Sequence, residues 1–210
     1  MSVVEARALA ALGRTDEVQA LLKEIGRLGQ TLGVAGELLL HDHLEGASQV
    51  LDRGIMLGQA WLSTAPTDTT FSEIGPGISR LADMLLLRGR VDEARVVLER
   101  TVEERADSPP LLRREYIGTL GVIAGMQGDR QRALEIGQYL AAQPWRWRSH
   151  ETEWQARIAA SLGELDRATA LLREAVGEGI AAGAMHVRSP LLWPTLRDHP
   201  PFQELIRPKG

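Results

Sequence analysis

The chain has no cysteine, which excludes disulfide bonds and thiolate chemistry. Lysine is almost missing as well. Only Lys23 and Lys209 are present, and every other basic side chain is arginine. Arginine's planar fork suits carboxylate or phosphate recognition, but a GC-rich genome is the simpler source of this bias. No apolar run is long enough to span a bilayer, and Glu5 and Arg7 interrupt anything resembling a signal peptide, so a cytoplasmic location is expected. The formal net charge of -4 gives no electrostatic reason to expect nucleic acid.

Reactive motifs are missing too. There is no G-x-x-x-x-G-K-[ST] loop, no G-x-G-x-x-G after a strand and no G-x-S-x-G elbow. His41-Asp42-His43 offers metal-ligand types, but it falls in a predicted turn with no further ligand cluster near it in sequence. His150-Glu151-Thr152-Glu153-Trp154 lacks the second histidine four residues on that a zinc-protease helix requires. Acid pairs such as Glu103-Glu104 and Glu151/Glu153 read as solvated helix faces, and no nucleophile stands with a plausible base. The expectation is a protein that is not an enzyme and needs no cofactor or metal.

What the chain does contain is a recurring helical pattern in a soluble composition, 44% hydrophobic and 25% charged. In the stretch 114–140, Ile117, Leu120, Gly121 and Ala124 fall on one helical face. Gly128-Asp129 breaks the pattern, and Ala133, Ile136 and Leu140 restart it. Small residues at 121 and 133 let two antiparallel helices approach closely, while the large ones fill the gap to a neighbouring hairpin.

The same pattern recurs as Ile78-x2-Leu81-Ala82-x2-Leu85 with Gly89 and Ala94-x3-Leu98, and as Thr31-x2-Val34-Ala35-x2-Leu38 with Asp42 and Ala47-x3-Leu51. The outermost copies resemble each other directly. EARALAALGRTDEVQALLKE and WQARIAASLGELDRATALLRE share Ala6/Ala156, Arg7/Arg157, Leu12/Leu162, Gly13/Gly163, Asp16/Asp166 and Ala20-Leu21-Leu22/Ala170-Leu171-Leu172. The second-helix anchors at 18, 47, 94, 133 and 168 are 29, 47, 39 and 35 residues apart, so insertions sit in inter-repeat loops or lengthened helices.

This signature resembles the tetratricopeptide repeat, in which a large apolar residue, Leu-Gly, an Ala-x3-Phe pair and a Pro recur in about 34 residues. Gly137 stands where the phenylalanine belongs after Ala133, so the copy is degenerate. The resemblance implies an all-α, right-handed α-α superhelix of about five helix hairpins plus a C-terminal capping helix, forming one domain over residues 1–210. The hairpins are expected roughly at 2–28, 30–62, 76–106, 110–142 and 149–178, with the cap at 190–207.

In chain order, Thr15 offers an N-cap oxygen that Asp16 can share, and Gly26–Gly29 reads as a turn. Ser63–Gly75, rich in Pro, Thr and Ser, reads as a long loop or hinge. Asp107-Ser108-Pro109-Pro110 leads into the next helix. In Pro144-Trp145-Arg146-Trp147-Arg148 the interleaved Arg and Trp either stack on a ligand or pin the loop against neighbouring helices, and the second is favoured. Gly177–Gly183 reads as an exit loop. Pro200 and Pro201 suit the first turn of a lid helix, with Asp198 or His199 ahead and Phe202, Leu205 and Ile206 on one stripe.

Leu196-Arg197-Asp198-x-Pro200-Pro201-Phe202-x-x-Leu205 looks like the C-terminal end of tetratricopeptide regions attached to bacterial kinase, cyclase or DNA-binding regulator domains. Family resemblance implies a concave groove lined by first-helix residues that takes a protein or peptide partner. Here the groove positions include Ser79, Asp83, Glu115, Val122, Glu153 and Arg157. The lysines and asparagines of the family's carboxylate clamp are missing from them. An alternative is a ligand-responsive regulatory module with a small molecule or peptide in the groove. The chain begins inside a repeat, which fits a piece of a longer protein or a homodimer through the uncapped N-terminal hairpin.

Overall fold

We describe a computed structural model of the chain, which describes residues 3–14, 16–18, 20, 28–64, 71–104, 110–142, 148–179 and 193–207. Among them there are helices and turns and no strand. The helices are α1 (Val3–Ala11), α2 (Leu28–Leu40), α3 (Leu44–Thr64), α4 (Phe71–Leu87), α5 (Val91–Glu104), α6 (Pro110–Met126), α7 (Arg130–Ala142), α8 (Arg148–Ser161), α9 (Leu165–Gly177), α10 (Trp193–Leu196) and α11 (Pro200–Ile206). Asp16, Glu17 and Val18 are helical and begin the second helix of the first hairpin. This is the architecture of an α-α solenoid, and the chain divides into two compact units, 1–112 and 113–210.

One turn builds all five hairpins. A single residue in the left-handed region, Gly13, Asp42, Gly89, Gly128 or Gly163, separates the two helices, with φ of 70, 61, 70, 79 and 76° respectively. Its N–H donates to the carbonyl three residues back, and the next N–H donates to the carbonyl five back, as in Arg14 to Leu9 and Arg90 to Leu85. These two bonds satisfy carbonyls that the first helix would otherwise leave open. The carbonyl of that same next residue (Arg14, His43, Arg90, Asp129 or Glu164) accepts from the N–H of Val18, Ala47, Ala94, Ala133 or Ala168. One helix therefore ends and the next begins on the same residue.

The five second-helix anchors are all 0% exposed. A β-carbon at Gly89, Gly128 or Gly163 would meet nothing within 4 Å, so glycine is needed there for its backbone angle. Gly13 also needs space, because a β-carbon on it would lie 2.6 Å from the His43 ring of the next hairpin. The N-cap role expected of Thr15 or Asp16 falls to Arg14, which supplies a backbone carbonyl and whose side chain pairs with Glu17 at 2.5 Å. Asp16 is already within the helix, and Thr15 lies outside the described residues.

In the first unit α1, α2 and α4 form a row of first helices, with α3 packed against α2 and α4, and α5 against α4. Its core includes Val34, Leu38, Leu51, Ile55, Ile78, Leu81, Leu85 and Leu98. Gly54 on α3 admits Met84 and Thr31, whose atoms would stand 2.5 and 2.7 Å from a β-carbon there, and Gly77 on α4 lies beneath the Trp61 indole. Arg88, beside the third turn, reaches back to Asp52 of the second hairpin with bonds of 2.7 and 3.1 Å. The loop expected over Ser63–Gly75 is shorter than that: α3 continues to Thr64 and α4 starts at Phe71, running through Pro76. The 47-residue spacing comes in large part from α3, which has 21 residues against 14 in α5 and 13 each in α7 and α9. The turn expected at Gly26–Gly29 also shifts, since Leu28 and Gly29 are already in α2.

In the second unit, three glycines of α6 lie against α8. Gly118 faces the Trp154 indole, Gly121 faces Ile158 and Ile136, and Gly125 faces Ser161. They stand at i, i+3 and i+7, one face of a helix, and the residues they meet stand at i, i+4 and i+7 in the same order. The two first helices therefore run parallel and close together. Val122, Ala124, Ala133, Ile136, Leu140 and Ile158 form the adjoining core. Beyond α9, Leu196 and Phe202 of α10 and α11 cover a floor of Ala156, Ala159, Ala160, Ala168 and Leu172. The lid helix starts with His199 in the N-cap position and Pro200 in its first turn, though no side chain caps it.

The Glu164 carboxylate follows the fifth turn and is bonded by Arg167 at 2.8 Å and by Arg130 from the preceding hairpin. Its pKa is held below the ordinary carboxylate value first by the Arg167 hydrogen bond and then by Arg130, with burial opposing. Glu93 is lowered in the same way by Arg90, 2.6 Å away. A carboxyl group whose pKa falls on folding contributes stability above its unfolded value and loses it as pH drops through the folded value. Stability is therefore expected to decline on acidification below the ordinary carboxylate range. In an Arg130→Gln/Arg167→Gln variant, urea melts across that range should show a shallower slope.

Gly163→Ala should cost about 1 kcal/mol in urea unfolding, because it strains the backbone without touching any neighbour. Gly121→Leu should cost about 1–3 kcal/mol or more, because even its β-carbon would stand 2.8 Å from both Ile136 and Ile158. An unchanged melting temperature in the leucine variant would contradict the close approach of α6 and α8.

Candidate functional site

The groove positions expected from sequence fall in both units. Ser79 and Asp83 stand one turn apart on α4 in the first unit, both half-buried. In the second unit Glu115 and Val122 are on α6, and Glu153 and Arg157 are on α8. Glu115 is half-buried, and its carbonyl accepts a 2.9 Å bond from the Thr119 hydroxyl. Val122 is only 7% exposed and belongs to the core. Its side chain is spent on packing.

Glu153 and Arg157, four residues apart, form an ion pair with side chains only 6% and 14% exposed. The Arg157 guanidinium carbon lies 4.7 Å from the centroid of the Trp154 ring. That ring lies over Gly118, so backbone, indole, guanidinium and carboxylate make a continuous contact from α6 to α8. A second pair, Arg114 to Glu151 at 3.4 Å, joins the same two helices with side chains 13% and 14% exposed. The Thr152 hydroxyl donates to the Glu178 carboxylate at 3.2 Å, tying α8 to the end of α9.

Sequence reading missed the packing of Trp154 on Gly118, and the Glu151/Glu153 pair expected on a solvated helix face is instead largely covered, Glu151 paired with Arg114 and Glu153 with Arg157. The glycine spacing 118, 121, 125 marked a helix face, but only Gly121 sits at the repeat's signature position. The tie between 114 and 151 spans 37 residues and has no local signal. Trp145 and Trp147 lie outside the described residues. The other feature weighed for a ligand, His41-Asp42-His43, is absorbed by the second turn. Asp42 is its left-handed residue and the His43 ring lies over Gly13. Among the described residues no group of three or more His, Asp or Glu side chains is placed to hold a metal ion, and no helix is long and apolar enough to cross a membrane.

The ion pair on α8 costs desolvation on both sides, so its net contribution to stability is small, while removing one partner deprives a largely buried charge of its counter-ion at a cost of about 3–5 kcal/mol. Arg157→Met should therefore destabilise the protein strongly in urea unfolding. Adding Glu153→Gln should recover much of the loss, and purely additive losses would show that the two side chains are not coupled.

Two segments, residues 3–24 and 79–100, match a family model described as the tetratricopeptide repeat. Each holds its turn glycine, Gly13 or Gly89, and its anchor, Val18 or Ala94, at the same distance from the segment's start. The hairpin with Ile117, Leu120 and Gly121 lies outside both. No curated protein and no solved structure matches the chain. Two matched segments on one repeated turn support a tetratricopeptide-type protein, and repeats of this kind generally mediate protein–protein interaction.

Proposed function

We propose that the protein is a non-enzymatic scaffold that binds a protein or peptide partner along its first helices. The observation that carries this reading is the row arrangement within each unit: α1, α2 and α4 pack side by side in one, and α6 and α8 in the other. Such rows present polar side chains at repeat-length intervals, and a partner can read them without any reactive group.

Ser79, Asp83 and Glu115, all half-buried and outside the α8 ion pair, are proposed as direct contacts. Glu153 and Arg157, largely covered and paired with each other, are proposed to hold the shape of the surface around Trp154. Val122 supports it from beneath. The same proposal places the chain in a bacterial cytoplasm, where its C-terminal pattern resembles the repeat regions of multidomain regulators, and excludes nucleic acid as its partner.

The test is affinity capture from the native host's lysate with the wild-type chain and with a Ser79→Ala/Asp83→Ala/Glu115→Ala variant. The three substitutions avoid the buried ion pair, and helical circular dichroism and a thermal melt of the variant establish that it is folded at the capture temperature. Partners captured by the wild type should then be lost or depleted. Identical partner sets from both proteins would remove the first-helix assignment. Saturable binding of a small metabolite, with no protein partner found, would favour a ligand-responsive module instead.

A further inference from the structure

We draw no further inference here: the strongest candidate, the exposed pair Leu12 and Leu44 flanking the Gly13–His43 contact at the turn edge of the first two hairpins, is an apolar patch for which nothing in the structure shows what covers it.

Discussion

One residue at positive φ between two helices fixes the geometry of every hairpin in this chain. Two hydrogen bonds close the first helix across it, and the next residue's carbonyl opens the second, so the chain passes from one helix into the next with its backbone groups bonded throughout. The anchor whose N–H completes that opening is buried in all five copies, which joins backbone geometry to core packing at the same point. Asp42 shows the constraint from the other side. It adopts the same conformation as the glycines, and aspartate is among the few side chains that visit this region at modest cost.

Close packing between hairpins then depends on where side chains are missing. Gly118, Gly121 and Gly125 remove the β-carbons from one face of α6 and let an indole, an isoleucine and a serine of α8 sit against its backbone. In the first unit Gly54 and Gly77 do the same for Met84 and Trp61. Each glycine in a helix interior sacrifices about 1 kcal/mol of helix propensity. The contact it admits has to return more than that, which explains why these glycines lie under large or tightly placed neighbours. Long-range ion pairs, Arg88 with Asp52 and Arg130 with Glu164, tie successive hairpins at their exposed edges, where such pairs contribute little individually.

Much of the fold was legible because its devices are local. The turn glycines, the anchors and the 3.6-residue periodicity all lie within a dozen residues of one another, and the lid announced itself through Pro200, Pro201 and Phe202. Boundaries were harder to read. Pro76 suggests a helix start, yet α4 begins five residues earlier and runs through it. Likewise Gly29, the end of the expected Gly26–Gly29 turn, is helical. The candidate surface was the least legible part. Repeat positions mark which residues share a face, and i, i+3 spacing alone allows Arg157 to reach Trp154, but whether Val122 packs inward or Glu151 meets Arg114 depends on the neighbouring hairpin, and no spacing within one repeat encodes that.

The alanine floor beneath Phe202 has a bearing on how such a chain can change in length. Each hairpin leaves a flank of small and aliphatic side chains for its successor, and here two short helices cover that flank with Leu196 and Phe202, joined by the partly buried Leu205 and Ile206. Because each hairpin docks on the flank of the one before, a hairpin added between α9 and α10 would have to offer Leu196 and Phe202 only a floor of comparably small side chains.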